Sequence, residues 1–557
     1  MVDDVGDERV VSWEAPGPGT WELDASHFEP TVSRIVADLI SDGTCRGFTE
    51  GFELLGAPLH HVATRFVNGG MYQRLVPLVA AGKDGPPPPA WVLKGITRVH
   101  PAFRRRARQS VRALEDRIWR SEFERWEREW KPRLVERNRT LGAVDVEGLS
   151  DAELADHLDA VIDHLRWSTP LHFRLHCSDL GPIGLLLVRA EDLGLDPAAV
   201  MAALAGASPS TSEPAEALAE IGRELRSCGV TPSSLEEVRG ASPHAAALLD
   251  RYVVEYGSRL TTGYDITSLT LNELPDVVLG SIVEATASPE RTVSDSATER
   301  GAAALDEVLA SADVADRAEL TRLIEDARLL YGLRDENGPL TYEWPAGVLR
   351  RAVVEAGRRL AGSGRIESER HVFDLDAHEM SPILRGRGVP TAHDLASRHA
   401  ERMSFDDLEH PPYLGLPPDD PPFDVLPGEM PTLMRSVVTV VDLLEARADV
   451  GRMSGTGIGD TSYTGTARVV SGAEEAMDRA EPGDVIVTRL TVPTFNSVLA
   501  MAGAVVTVNG GLLCHTAVIA RELGIPAVVG VPGALEIPDG ATVEVDPTAG
   551  VVRLVGA

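Results

Sequence analysis

From about residue 20 to 405, apolar positions recur at three- and four-residue steps, the spacing of amphipathic helices. Between Arg104 and Arg139 the residues Trp119, Phe123, Trp126 and Trp130 form one such stripe, with Arg and Glu interleaved. This predicts a helix with one buried face and a solvated face carrying Glu–Arg pairs. Further helices are predicted at 151–166 behind the cap Ser150, and at 213–227, 315–331 and 346–362. The pattern changes at His410. HPPYLGLPPDDPPFDVLPGEMP (410–431) reads as an extended, semi-rigid linker, followed by a short helix over 432–448. After Gly455 the runs GTARVV, GDVIVT, GAVVTV, PAVVG, ATVEVD and VVRLV are short, β-branched and bounded by Gly, Pro and Asp, which predicts strands. Two helices interrupt them, at 473–480 and 515–523. The layout is a helical region (1–409), a linker with a short helix (410–450) and a compact α/β domain (451–557), and the linker implies relative motion.

A chain of 557 residues suggests three or four domains or lobes, and 43% apolar with 25% charged residues disfavours a disordered or fibrous protein. The net charge of −32 disfavours nucleic acid and anionic membrane surfaces as partners, and with them a nucleic-acid role for the Arg/Trp-rich stripe. No apolar run is long enough to span a bilayer, and MVDDVGDERVVSWEAPGPG lacks the pattern of a signal peptide. A cytoplasmic protein is expected. The four cysteines lie far apart with no CxxC pair, so neither a disulfide framework nor a structural zinc site is expected. Lys83, Lys94 and Lys131 are the only lysines. Gly82–Lys83 is followed by Asp84 where a P-loop needs Ser or Thr, which excludes a Walker-type NTPase.

The segment GAVVTVNGGLLCHTAVIARELGIPAVVG (503–530) carries the chemistry. A strand ends at Asn509, Gly510–Gly511 permit a tight turn, and a helix begins near Cys514–His515 and stops at Gly524 before Pro526. His515 therefore stands at a helix N-terminus, where free N–H groups and the positive dipole end favour an anion. A neutral imidazole there is a competent nucleophile, although a histidine at a helix start also serves as a cap or packing residue.

This segment resembles the phosphohistidine signature of the swivelling domain in phosphoenolpyruvate-utilising enzymes. The likeness covers nearly all of 452–557, including TVPTFNSVLAMAGAVV upstream and IPDGATVEVDPTAGVVRLV downstream. It implies a swivelling β/β/α domain with His515 as the phosphate carrier and Gly510, Gly511, Cys514 and Thr516 around the phosphoryl group. Leu513 stands where the synthases of the family carry a regulatory threonine, so that control is expected to be absent. PGPGTWELDASHFEPTVSR, EYGSRLTTGYDITSLTLNELP, LYGLRDENGP and VFDLDAHEM resemble, more sparsely, the helical acceptor-binding region of rifamycin phosphotransferase-like proteins. By that likeness the helical body holds the acceptor and His515 swings in to deliver its phosphoryl group.

Family members that act alone carry an ATP-grasp domain or a phosphoenolpyruvate-binding barrel. No ATP-grasp pattern is seen in the N-terminal half, and the chain ends at Ala557 after the swivelling domain. The resemblance thus implies a phosphotransferase component, with a separate ATP-grasp protein binding ATP and Mg2+ and loading His515, and a small organic molecule as acceptor. The alternatives are an ATP-dependent condensing ligase of the prodigiosin-synthetase type and a non-catalytic relic of the family.

Other candidates lie in the body. His172 and His176 are one helical turn apart, with His164 two turns earlier. They suit packing, an acceptor-pocket wall with acid/base potential, or a metal site, for which HFRLH lacks the usual glutamate and a third ligand. No metal site is assigned to the chain. Arg328, Arg334 and Arg259 are candidates for orienting the phosphoryl group through guanidinium forks, beside the plainer reading of surface ion pairs. Gly455–Thr–Gly–Ile–Gly459 mimics a dinucleotide loop but is followed by strands, so it reads as a turn-rich lead-in.

Overall fold

The axis of the body is one long helix, Asp151–Asp192, in the computed structural model, which describes residues 11–24, 27–79, 89–261, 263–287, 293–388, 390–406, 408–417, 423–445, 452–491 and 495–555. A reciprocal capping box between Ser150 and Glu153 starts it. The expected end at 166 is overrun: the helix continues through Pro170 and Pro182. Pro170 has no N–H for the carbonyl of Arg166, and Arg46 Nη1 from the neighbouring helix Arg34–Leu55 donates to that oxygen instead (3.3 Å). The two helices lie unusually close. A Cβ on Gly43, Gly47 or Gly51 would fall 2.3–2.5 Å from Thr169, Pro170 or Cys177. Helices Arg317–Gly338 and Met430–Glu445 pack on the same axis.

The helical reading of the body misses a four-stranded antiparallel sheet, ordered 59–67, 70–77, 20–24 and 413–415. The hairpin at one edge of it, 59–67 with 70–77, turns at Asn68 (φ 48°) and Gly69 (φ 84°), a pair of left-handed residues that suits the right-handed twist of the strands. The expected linker also differs. Tyr413–Gly415 is the fourth strand and pairs with Thr20–Glu22, Pro411 O accepts from the Tyr72 hydroxyl (2.9 Å), and His410 Nε2 lies 2.9 Å from Asn68 O. Gly428 packs against the carbonyl of Ala107. Residues 410–417 are therefore stitched to the body, because the extended backbone that prolines favour can pair along the sheet edge. Residues 418–422 of this stretch and 446–451 lie outside the described residues.

The tryptophan stripe is buried as its spacing demands, with Trp126 fully enclosed and Trp119 and Trp130 nearly so. It is not one continuous α-helix. Trp126–Trp130 forms a π-helical turn, and a second π turn, Pro339–Glu343, joins helices Arg317–Gly338 and Trp344–Gly362. Such turns widen the backbone and re-aim side chains, often at functional sites.

The C-terminal domain has the expected strands, in a seven-stranded mixed sheet ordered 551–554, 542–546, 463–469, 485–488, 504–507, 527–529 and 456–458. The last of these corrects the lead-in reading of 455–459: Thr456–Ile458 pairs antiparallel with Ala527–Val529. Gly457 suits it, since a Cβ there would meet Pro547 O at 1.7 Å. Helices Ala473–Arg479 and His515–Leu523 lie where expected. The second docks on the body, and Leu513 and Val518 are buried in one apolar cluster with Ile183, Leu204 and Ile324. Among the described residues no helix is long and apolar enough to cross a membrane.

Candidate active site

The strand Ala504–Thr507 delivers the chain to Gly510, whose φ of 121° is open to glycine and strained for other residues. A Cβ there would also lie 2.6 Å from Cys514 Sγ. Cys514 N donates to Gly511 O (3.1 Å), closing the turn, and the helix His515–Leu523 begins at once and ends on left-handed Gly524. His515 Nδ1 lies 2.9 Å from Thr491 Oγ1, which lies 2.8 Å from Thr516 Oγ1. With Nδ1 held by the hydroxyl pair, Nε2 is the nitrogen left for the cavity.

His515 borders a cavity of about 190 Å³ whose walls are otherwise mostly body residues, including Lys131, Arg139, Tyr256, Arg259, Asp335 and Trp344. The two π turns flank it. Lys131 follows the first, while Pro339 and Leu340 belong to the second. Burial pushes the His515 imidazole down to about 4, with Asp335 opposing and Arg259 adding to the shift. The ring is neutral at pH 7 and keeps the lone pair a nucleophile needs. Burial raises the Cys514 thiol, so it stays protonated beside the histidine.

The docked position is held by polar contacts to backbone. Arg334 Nη2 donates to Leu513 O (2.6 Å), and its buried Nη1 has no partner among the described residues. Arg300 Nη2 donates to Arg521 O (3.0 Å) and Glu522 O (2.8 Å). In return Gly206 N–H donates to the Glu522 carboxylate (3.0 and 3.1 Å). Burial pushes that carboxyl up to about 7, against the Gly206 hydrogen bond and with Asp335 adding to the rise.

Of the residues singled out from the sequence, His515, Arg259 and Arg334 meet here. Arg259 lines the cavity with its guanidinium 4.7 Å from the Tyr256 ring centre, and Arg334 grips the turn before the histidine. Arg328 does not: it donates to Ala203 O and Ala205 O and lines no part of the cavity. Thr516 is buried behind Thr491 rather than open to the cavity. His172 and His176 belong to an interior chain in which His176 Nδ1 faces Asp179 (3.3 Å), His176 Nε2 faces His172 Nε2 (3.1 Å), and His172 Nδ1 faces Asn337 and Thr341. Burial keeps His172 neutral, and neither ring lines the cavity.

Thr491, Asn496, Lys131 and Trp344 carry no sequence signal of their own, although Thr491 and Asn496 fall inside TVPTFNSV. Three of the cavity's four carboxylates are already engaged, Asp335 with Ser208, Glu336 with Lys131 and Trp126, and Glu255 with Arg139, which leaves Glu213 alone among them. That donor set does not suit a resident magnesium ion, which favours carboxylates free to ligate beside phosphate.

Residues 480–550 match the family described as PEP-utilising enzyme, mobile domain, and residues 185–335 match the rifampicin phosphotransferase fourth domain. The chain is 26% identical over 592 aligned residues to the chondramide synthase of Chondromyces crocatus, which covers 98% of this chain and 14% of that protein. It is 27% identical over 458 residues to the rifampicin phosphotransferase of Streptomyces sviceus, covering 76% of this chain and 49% of that protein. To the phosphoenolpyruvate synthase of Pseudomonas aeruginosa it is 42% identical over 119 residues, covering 21% of this chain and 15% of the synthase. The chain thus spans half or less of the length of these relatives. Residues 480–550 are thus similar to a PEP-utilising mobile domain and residues 185–335 to a domain of rifampicin phosphotransferases.

Proposed function

We propose that this chain is the acceptor-binding and carrier portion of a phosphotransferase. His515 Nε2 takes a phosphoryl group from ATP held with Mg2+ on a separate ATP-grasp protein, then passes it to a hydroxyl of a small organic acceptor in the cavity. The observation that carries this reading is the docking of a neutral, helix-N-terminal histidine at the mouth of a charged cavity in another domain. In this scheme the Thr491 hydroxyl, 2.9 Å from Nδ1, accepts a hydrogen bond from Nδ1–H, which leaves the ring's lone pair on Nε2. N–H groups of the first helical turn then face the phosphoryl oxygens, while Arg259 and Lys131 offset their charge from the body side. Splitting one transfer into two in-line steps lets donor and acceptor sites differ in their demands.

Intact-mass measurement tests the reading. The wild-type chain and His515→Ala are incubated with Mg-ATP, with and without the ATP-grasp protein. An acid-labile phosphoryl adduct on wild type alone, formed only with the second protein, is the expected result. Labelling of wild type without it would remove the partner from the scheme. Equal labelling of both chains would overturn His515 as the carrier.

A further inference from the structure

The cavity that His515 borders is lined by an unbalanced set of charges. Four carboxylates, Glu213, Glu255, Asp335 and Glu336, share its wall with Lys131, Arg139 and Arg259. Two of the carboxylates are matched within the wall itself: Glu336 with Lys131 (2.8 Å) and Glu255 with Arg139 (2.5 Å). Asp335 accepts from the Ser208 hydroxyl (2.5 Å), and Arg259 lies over the Tyr256 ring. Glu213, near the start of the helix Pro209–Cys228, has neither a hydrogen bond nor an ion pair among the described residues. It is the one carboxylate of the described wall that nothing holds.

Glu213 lies within electrostatic reach of the groups that surround the carrier. Burial raises its carboxyl above the ordinary value, Glu336 adds to the rise, and Lys131 and Arg259 pull against it. Arg259 acts on His515 as well, so one guanidinium is shared between the carboxylate and the imidazole. The helix that carries Glu213 also packs against Asn496–Leu499 and His515–Leu523 of the carrier domain. A phosphoryl group on docked His515 would bring about two more negative charges into this space. Lys131 is already divided between Glu127 and Glu336, and Arg259 is the cation left to meet the phosphoryl oxygens. Glu213 then has no counter-charge beside a dianion, an arrangement that a bound cation relieves.

We propose that Glu213 recognises a positively charged group on the acceptor. The substrate class is then an amino-substituted alcohol or phenol. Its ammonium donates to the Glu213 carboxylate, its hydrocarbon part lies on the wall formed by Val135, Pro339, Leu340 and Trp344, and its hydroxyl turns to the phosphoryl group. An acceptor carrying a carboxylate is repelled by Glu213 and by the phosphoryl group together. This deepens the phosphohistidine reading above and rests on it.

The test loads the full chain with potassium phosphoramidate, a small chemical phosphoryl donor, and follows loss of the adduct by intact mass at pH 8. Three phenols of different charge serve as acceptors: tyramine (cationic), 4-ethylphenol (neutral) and 4-hydroxyphenylacetate (anionic). Wild type should discharge to tyramine about 5-fold faster than to 4-ethylphenol, the size of a solvent-accessible ion pair, and most slowly to 4-hydroxyphenylacetate. In Glu213→Gln the preference for tyramine over 4-ethylphenol should vanish. Glu213→Lys should reverse the order in favour of 4-hydroxyphenylacetate, which a merely structural role would not do. Equal rates with the three phenols in wild type, or none above the rate in water, would overturn the assignment. So would a preference for tyramine that survives in Glu213→Gln. Failure of phosphoramidate to load wild type would instead overturn the phosphohistidine reading, and this role with it.

Discussion

Arg334, on the body, donates through Nη2 to the carbonyl of Leu513, two residues before the candidate carrier histidine (2.6 Å). The contact is backbone-directed and charge-assisted, so it reads the position of the turn rather than any side chain on it. A hydrogen bond from a charged donor contributes about 1.5–3 kcal/mol. Arg334→Ala should therefore lower the rate of transfer to the acceptor by about 10-fold or more. On the proposed scheme, loading by an ATP-grasp protein takes place with the carrier elsewhere, so its rate should not fall. Single-turnover loading and discharge, measured separately, distinguish the two; an equal drop in both would sink the docking role.

On the proposed scheme Thr491, 2.9 Å from His515 Nδ1, accepts from Nδ1–H and keeps the lone pair on Nε2. Thr491→Val removes the acceptor while keeping the shape, and should slow phosphoramidate loading by about 10-fold, the low side of what positioned proton-handling groups contribute. Thr491→Ser should restore most of it. If Val loads like wild type, the tautomer is set elsewhere.

Docking should respond to pH through two groups with opposite signs. Glu522 is pushed up to about 7 where it is buried on the body, so the docked state holds more protons than a freely exposed carboxyl does. Its contribution is fully present below the ordinary value of 4.5 and is lost as pH rises to about 7, on the order of 3 kcal/mol in all. His515 is pushed down to about 4, so its docked form resists protonation and docking weakens as pH falls below 6.5. Between 4.5 and 6.5 the two offset each other. Glu522→Gln should then expose a loss of docking on acidification, and His515→Gln a loss on raising pH. Hydrogen exchange of helix His515–Leu523 across pH, corrected for intrinsic rates, reads both; parallel behaviour of the two variants would contradict the assignment.

Gly510 combines a left-handed backbone with a 2.6 Å approach to Cys514. Gly510→Ala should destabilise the C-terminal domain by about 1–3 kcal/mol, seen as a lower midpoint in thermal or urea unfolding. Phosphoryl loading should fall with it, because the turn that presents His515 is the strained element.

The C-terminal domain was legible because each strand is a short β-branched run closed by Gly or Pro, and because the chemistry sits within one local turn. The small sheet of the body had a signal that the helical pattern obscured: Asn68–Gly69 between LHHVATRFV and GMYQRLVP is a hairpin turn by its side chains alone. Its fourth strand is three residues among prolines, too short for periodicity to register. Arg328 and Arg334 were paired as candidates although six residues turn a helix by about 600°, so the two project from different faces. One faces the carrier, the other the Ala203–Ala205 loop. Thr491 acquires meaning only from its contact with His515 across the fold of one domain, and Arg334 only when the body meets the carrier turn, relationships no local pattern contains.

The pairing of Thr20–Glu22 with Tyr413–Gly415 also bears on how the molecule assembles. These contacts join residues separated by nearly the whole body, and closing so large a loop comes late and slowly in folding. That seam adds to the contacts that pin the chain leading towards the carrier, among them Pro411 O with Tyr72 and Gly428 with Ala107. One consequence is that the first described strand and the approach to the carrier share a single sheet edge, so loss of Thr20–Glu22 exposes the backbone of Tyr413–Gly415.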